Sequence, residues 1–150
     1  MSLPAHFSEL AVAEVMHSGV IDCPPQTPLH EVASLMAENN VHFVIVDGLA
    51  RGPHHTEQLV WGAISDIDLM RAVGTGSTDG EAGEIAATEI VTIERGEEVQ
   101  RAAQLMGKHE CSHLIVTDPD SGRPLAVVSS LDVARALVWG VRPSNKAPTP

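Results

Sequence analysis

The sequence predicts a mixed α/β fold of the α+β kind, built from two tandem β-α-β-β-α repeats. Three observations point there. The chain matches itself, first at a shift of 70 residues and then at a shift of 64. Each copy contains one apolar stripe at helical spacing. Each also contains apolar runs too short for a buried helix, which read as strands.

At the 70-residue shift, Ala13–Met16 lies beside Gly83–Ala86. Ala33, Leu35, Met36, Ile45 and Val46 recur as Ala103, Leu105, Met106, Ile115 and Val116. At the 64-residue shift, Ser65, Asp68, Arg71 and Ala72 recur as Ser129, Asp132, Arg135 and Ala136. The change of register falls in LARGPHHTEQ, between two apolar runs, where a loop tolerates insertion.

Each copy opens with a short amphipathic helix, over Ser8–Met16 and Glu81–Ala87, followed by an extended segment, Val20–Cys23 and Ile90–Ile93. A helix then runs from Thr27-Pro28 to about Glu38, and its partner from Glu97 to about Lys108. Proline suits a first helical turn, where its missing N–H is not needed. Val41–Val46 and Ser112–Val116 form a first buried strand, and Leu59–Ile64 and Leu125–Val128 a second. The last helix begins at Ser65 and at Ser129. The repeats are expected at residues 8–74 and 81–140, with a linker at 75–80 and a flexible tail at 141–150.

Composition narrows the function. Hydrophobic residues make up 43% and charged residues 19%, a balance for a folded chain. Nine Lys and Arg stand against twenty Asp and Glu, for a net charge of −11. Such a surface disfavours nucleic acid, whose grip needs clustered cations. No apolar stretch is long enough to span a membrane and no signal peptide is evident. Cys23 and Cys111 form no disulfide framework, so the expected compartment is cytoplasmic.

The chemistry concentrates where the second strand meets the last helix. Gly62–Asp68 and Ala126–Asp132 both place Ser three residues before Asp. This spacing makes a capping box and leaves helix N–H groups open to an anion. The Asp, one turn in, can accept two hydrogen bonds from a diol. Taken singly, Ser-x-x-Asp is an ordinary cap. Its recurrence at equivalent places favours a phosphate and a ribose bound side by side.

These residues resemble the CBS (cystathionine-β-synthase) domain family. The resemblance rests on Leu35-Met36 with Gly62-Ala63-Ile64-Ser65 and Asp68, then Leu105-Met106 with Ser129 and Asp132. Ala126 stands where the first copy has Gly62, and Ile45 and Ile115 where the family often has Pro. It implies a Bateman-type pair with pseudo-twofold symmetry and two clefts between its sheets. The clefts would take AMP, ADP, ATP or S-adenosylmethionine. Asp68 and Asp132 would hold ribose hydroxyls, and Ser65 and Ser129 ribose or phosphate. Ile21, Asp22, Val91 and Thr92 would line the adenine pocket, with His42, Phe43, His113 and Leu114 as another wall. Asp22 adds a carboxylate that opposes a polyphosphate unless a cation intervenes. Paired units of this family commonly dimerise.

Other motifs carry less. His54 and His55 sit side by side in the inserted loop, without the convergence a metal needs, and no metal site is expected. Asp66 and Asp68 are two apart on a helix and do not face each other. GTGSTDG lacks the lysine of a phosphate loop. His42 and His113 read either as ligand contacts or as ordinary half-buried residues. The expected function is a stand-alone regulatory module without catalysis. It needs no cofactor, carries a bound adenine nucleotide or S-adenosylmethionine, forms a homodimer and signals to a protein partner. The alternative is a ligand-free interaction module acting through its dimer surface.

Overall fold

The computed structural model describes residues 2–51 and 58–140. The tail at 141–150 and the pair His54-His55 lie outside the described residues. In chain order the elements begin with α1 (Ala5–Ser8), a 3₁₀ turn (Val12–Glu14), β1 (His17–Ser18), β2 (Asp22–Cys23) and α2 (Leu29–Asn39). There follow β3 (Phe43–Arg51), β4 (Gln58–Ser65), α3 (Asp66–Gly74) and α4 (Ala82–Ile85). The last are β5 (Thr92–Glu94), α5 (Val99–His109), β6 (His113–Thr117), β7 (Pro124–Ser129) and α6 (Ser130–Trp139).

The chain divides into two compact units that are offset from the sequence repeats. One joins the residues up to Gly19 to those from Val91 onward; the other is Val20–Ile90. The opening of the first repeat thus packs with the second repeat rather than with the rest of its own.

The Val20–Ile90 unit holds a sheet in the order β2-β3-β4, with β2 parallel and β4 antiparallel to β3. Strand alternation sends Cys23, Val44, Val46 and Ile64 to one face, where they pack with Val32 and Met36 of α2. Each such buried aliphatic side chain contributes roughly 1.5–3 kcal/mol by leaving water. The ladder slips between Asp47 and Leu49, at Gly48, whose φ of 88° suits a bulge.

The other unit holds a sheet in the order β1-β7-β6-β5. Ile93, Leu114, Val116, Ala126 and Val128 pack with Ala102 and Met106 of α5. Both long helices end alike. Asn40 after α2 and Glu110 after α5 adopt φ of 54° and 52°, and their N–H groups close on Met36 O and Met106 O. Asn accepts this left-handed turn readily; Glu does so under strain.

The two opening helices differ from their predicted spans. In place of one helix over Ser8–Met16 there are α1 and a 3₁₀ turn. Val12 N and Ala13 N donate across the unit to Glu97 O (2.8 Å) and Arg95 O (2.9 Å) instead of to their own helix. The helix predicted over Glu81–Ala87 is confined to Ala82–Ile85. Ala87 leaves it to exchange backbone bonds of 2.9 and 3.0 Å with Ala63. Tertiary bonds override local propensity at both places. Among the described residues, no helix is long and apolar enough to cross a membrane.

Candidate functional site

Each unit carries one of the two Ser-x-x-Asp joints, and each joint closes into a capping box. In α3, Ser65 Oγ accepts from Asp68 N at 3.1 Å, and Ser65 N donates to Asp68 Oδ2 at 3.0 Å. In α6, Ser129 Oγ accepts from Asp132 N at 3.2 Å, and Ser129 N donates to Asp132 Oδ2 at 2.8 Å. Both carboxylates sit at a helix N-terminus, where the exposed N–H ends of the first turn present partial positive charge.

Register places the remaining candidates at the same end of each sheet. Phe43 is opposite Ser65, and His113 is opposite Ser129. Asp22 is opposite Ile45, and Thr92 is opposite Ile115. Side chains alternate, so Asp22, Phe43, Ile45 and Ser65 share the sheet face opposite the helix-packed core. Thr92, His113, Ile115 and Ser129 do the same in the other unit. Asp22 and Thr92 are exposed, while Ile21 and Val91 are half-buried. Ile21 offers its carbonyl to Ile45 N at 2.8 Å.

Two of the candidates turn the other way. Leu114 is fully buried in the core cluster, and Val91 packs against that cluster. What they can offer a ligand is backbone. His42 lies beside the α3 joint: its Nδ1 is 2.9 Å from Asp66 Oδ2, and its carbonyl accepts from Asp66 N at 2.9 Å. Ser112 and Ser130 repeat the backbone half of that contact at 2.8 Å. His113 Nδ1 lies 3.0 Å from Ser112 Oγ.

The two carboxylates differ in their other partners. Asp68 Oδ1 accepts from Arg71 Nη1 of its own helix at 3.2 Å, near the surface. Asp132 is buried. Its Oδ2 also accepts from Ser129 Oγ at 2.9 Å, and its Oδ1 stands 2.6 Å from His17 Nε2. An ionised carboxylate only accepts, so toward it the imidazole Nε2 is the donor. Beside the pair lies a hollow of about 140 Å³ lined by Glu14, Val15, Met16, His17, Asp132, Arg135, Ala136 and Gly140. Among the described residues, the Arg135 side chain has no hydrogen-bond or ion-pair partner.

Repeat matching passed over His17 and Arg135 as site residues. His17 has no recurring counterpart: the 70-residue shift pairs it with Ala87. The structure confirms the equivalence, since His17 pairs with Val127 as Ala87 pairs with Ala63. Arg135 recurs as Arg71, so the repeat itself carries a signal for it.

Gly62 is required by packing within its own unit. A Cβ there would stand 2.6 Å from Ala87 O and 2.8 Å from Leu49 Cδ1. The glycine admits the chain's own backbone. Elsewhere in this unit, burial pushes the Cys23 thiol above its ordinary range; a Thr27 hydrogen bond opposes this, and the Asp22 and Glu31 carboxylates add to it. A buried neutral thiol is a poor nucleophile. Among the described residues, no cluster of His, Cys, Asp and Glu is arranged to hold a metal.

Comparison with known proteins agrees with this architecture. The CBS domain family model matches residues 12–75 and 82–138. The CBS domain-containing protein YhcV of Bacillus subtilis (strain 168) is 25% identical over 113 residues, covering 74% of this chain and 75% of YhcV. The CBS domain protein PAE2072 from Pyrobaculum aerophilum, solved in complex with AMP, is 26% identical with a TM-score of 0.70, covering 88% of this chain and 98% of that one. The CBS domain pair of MJ0100, solved with 5′-methylthioadenosine and S-adenosyl-L-methionine, has the same fold. It is 22% identical with a TM-score of 0.67, covering 84% of this chain and 98% of that one. Two matched repeats, a mixed α/β fold and paired Ser-x-x-Asp joints lead to one assignment: this chain belongs to the CBS domain family, as a tandem pair.

Proposed function

We propose that this chain is a regulatory module that binds an adenosyl ligand at its Ser-x-x-Asp joints and has no catalysis of its own. The observation that carries the reading is the buried Asp132 carboxylate, set at a helix N-terminus beside a hollow that Arg135 also lines. A ribose diol suits the carboxylate, and a phosphate suits the guanidinium and the helix N–H groups. The AMP complex of PAE2072 supports the same ligand class. In this reading Asp68 and Asp132 bind ribose hydroxyls, and Ser65 and Ser129 bind ribose or phosphate. Ile21, Asp22, Val91 and Thr92 meet the adenine, while His42, Phe43, His113 and Leu114 form the facing wall.

The module works in the cytoplasm as a homodimer, and a protein partner reads its state. Binding shifts that state only if the ligand prefers one conformation over another. Isothermal titration with AMP, ATP and S-adenosylmethionine tests the reading. Saturable heat with at least one of them is expected; silence from all three at millimolar concentration contradicts it.

A second reading has its own support. Ile67, Met70 and Val73 on α3, and Leu131, Leu137, Val138 and Trp139 on α6, are exposed apolar residues. A ligand-free interaction module would act through such faces alone. Loss of both Asp68 and Asp132 carboxylates would then leave its activity in the cell unchanged.

A further inference from the structure

We infer that His17 is a displaceable plug on the Asp132 carboxylate, so that the two nucleotide positions of this chain are unequal by construction. The inference rests on the adenosyl reading above and deepens it by naming an affinity-determining residue.

A carboxylate offers about four lone-pair positions. On Asp132, Ser129 N (2.8 Å) and Ser129 Oγ (2.9 Å) take both positions of Oδ2. His17 Nε2 takes one position of Oδ1 at 2.6 Å. One position remains, and a ribose diol brings two hydroxyl donors. The second hydroxyl binds only if the imidazole leaves.

On Asp68 the count differs. Oδ2 accepts from Ser65 N at 3.0 Å and Oδ1 from Arg71 Nη1 at 3.2 Å, so each oxygen keeps one position among the described residues. The residue equivalent to His17 is Ala87, whose methyl group has no donor. A diol therefore meets Asp68 without displacing any protein group.

His17 is built to leave. Its side chain is 69% exposed, whereas that of Asp132 is 5% exposed. The imidazole can swing into water and lose little packing, while β1 keeps its backbone pairing to β7. Its departure does not orphan a buried donor, because the nitrogen returns to solvent. His17 also occupies Asp132, the counterpart of the Asp68 carboxylate that Arg71 engages in the other unit, and Arg135 is left available to an anionic ligand at the hollow. The charge-assisted bond lost from His17 corresponds to about a tenfold weakening of diol binding at Asp132.

AMP titration of the full chain tests this in a background where Asp68→Ala silences the first position. Adding His17→Ala to that background is expected to tighten AMP binding about tenfold. Unchanged or weaker binding overturns the plug while leaving the adenosyl reading intact. Absence of AMP binding in wild type and in both variants overturns the adenosyl reading, and the plug with it. A second readout needs no substitution at His17. In the Asp68→Ala protein saturated with AMP, the His17 imidazole nitrogen resonances should move to the values of a solvent-exposed histidine. Resonances that stay in place under saturation overturn the proposal.

Discussion

His17 and Asp132 are 115 positions apart in the chain, yet His17 Nε2 and Asp132 Oδ1 are 2.6 Å apart. The contact exists because β1, from the start of the first repeat, pairs with β7 of the second. Asp132 is also the third helical residue of α6, where its carboxylate completes the capping box with Ser129. One side chain thus ties the leading segment to the last helix.

Removing that side chain should therefore cost stability in two ways. Asp132→Ala loses the capping box and leaves His17 unpaired, for about 2 kcal/mol in all. The same change at Asp68, which is more exposed and makes only local bonds, should cost about 1 kcal/mol. Urea denaturation of the two variants checks the order; equal losses would show that the long-range contact adds nothing.

Gly62 and Gly74 should respond oppositely to alanine. At Gly62 the new Cβ meets the Ala87 carbonyl, a backbone atom, at 2.6 Å, so Gly62→Ala should destabilise by about 1–3 kcal/mol. At Gly74, the last residue of α3, nothing lies within 4 Å of the added Cβ. There alanine should be neutral or stabilise by a few tenths of a kcal/mol, about what helix propensity allows near a helix end. Thermal melts of both variants decide the contrast.

Glu110 holds a left-handed conformation at φ 52° where the first repeat has Asn40. Glu110→Asn should relieve strain and stabilise by about 0.5–1 kcal/mol. A denaturation midpoint that falls instead would mean the Glu110 side chain contributes more than its backbone costs.

Cys23 gives a pH-dependent prediction. Its folded thiol loses a proton at higher pH than the unfolded thiol, because burial disfavours the thiolate. Above the unfolded value, about 8.5, the unfolded chain binds fewer protons than the folded one, so stability falls as pH rises. Below that value the contribution is constant. Cys23→Ala should flatten the alkaline decline, measured as urea midpoints at pH 7 and at pH 10. At pH 8 a thiol reagent should modify half-buried Cys111 well before Cys23 in the folded protein.

The repeat made much of this fold legible before any coordinates. A shift of 70 aligned α2 with α5 and β3 with β6, and a shift of 64 aligned α3 with α6. Ser65 and Ser129 were readable as helix starts because a hydroxyl three residues before a carboxylate has a local chemical reason. The exchange of the leading segment was not readable. Short stretches such as His17–Ser18 have weak propensity, and their pairing is decided by tertiary bonds. The first helix is shorter than its apolar pattern predicts for the same reason: Val12 and Ala13 find their acceptors at Glu97 and Arg95, far along the chain. His17 carries no repeat signal, because its counterpart at the 70-residue shift is Ala87. Leu114 shows the opposite limit, since proximity to a site in sequence does not say which sheet face a side chain takes.

The most direct test of the account is calorimetric titration of AMP into the wild-type chain and into the Asp68→Ala/Asp132→Ala double variant, with folding of both checked by circular dichroism. Saturable binding to the wild type that disappears from a folded double variant is the predicted result. AMP binding that persists undiminished without either carboxylate would contradict it.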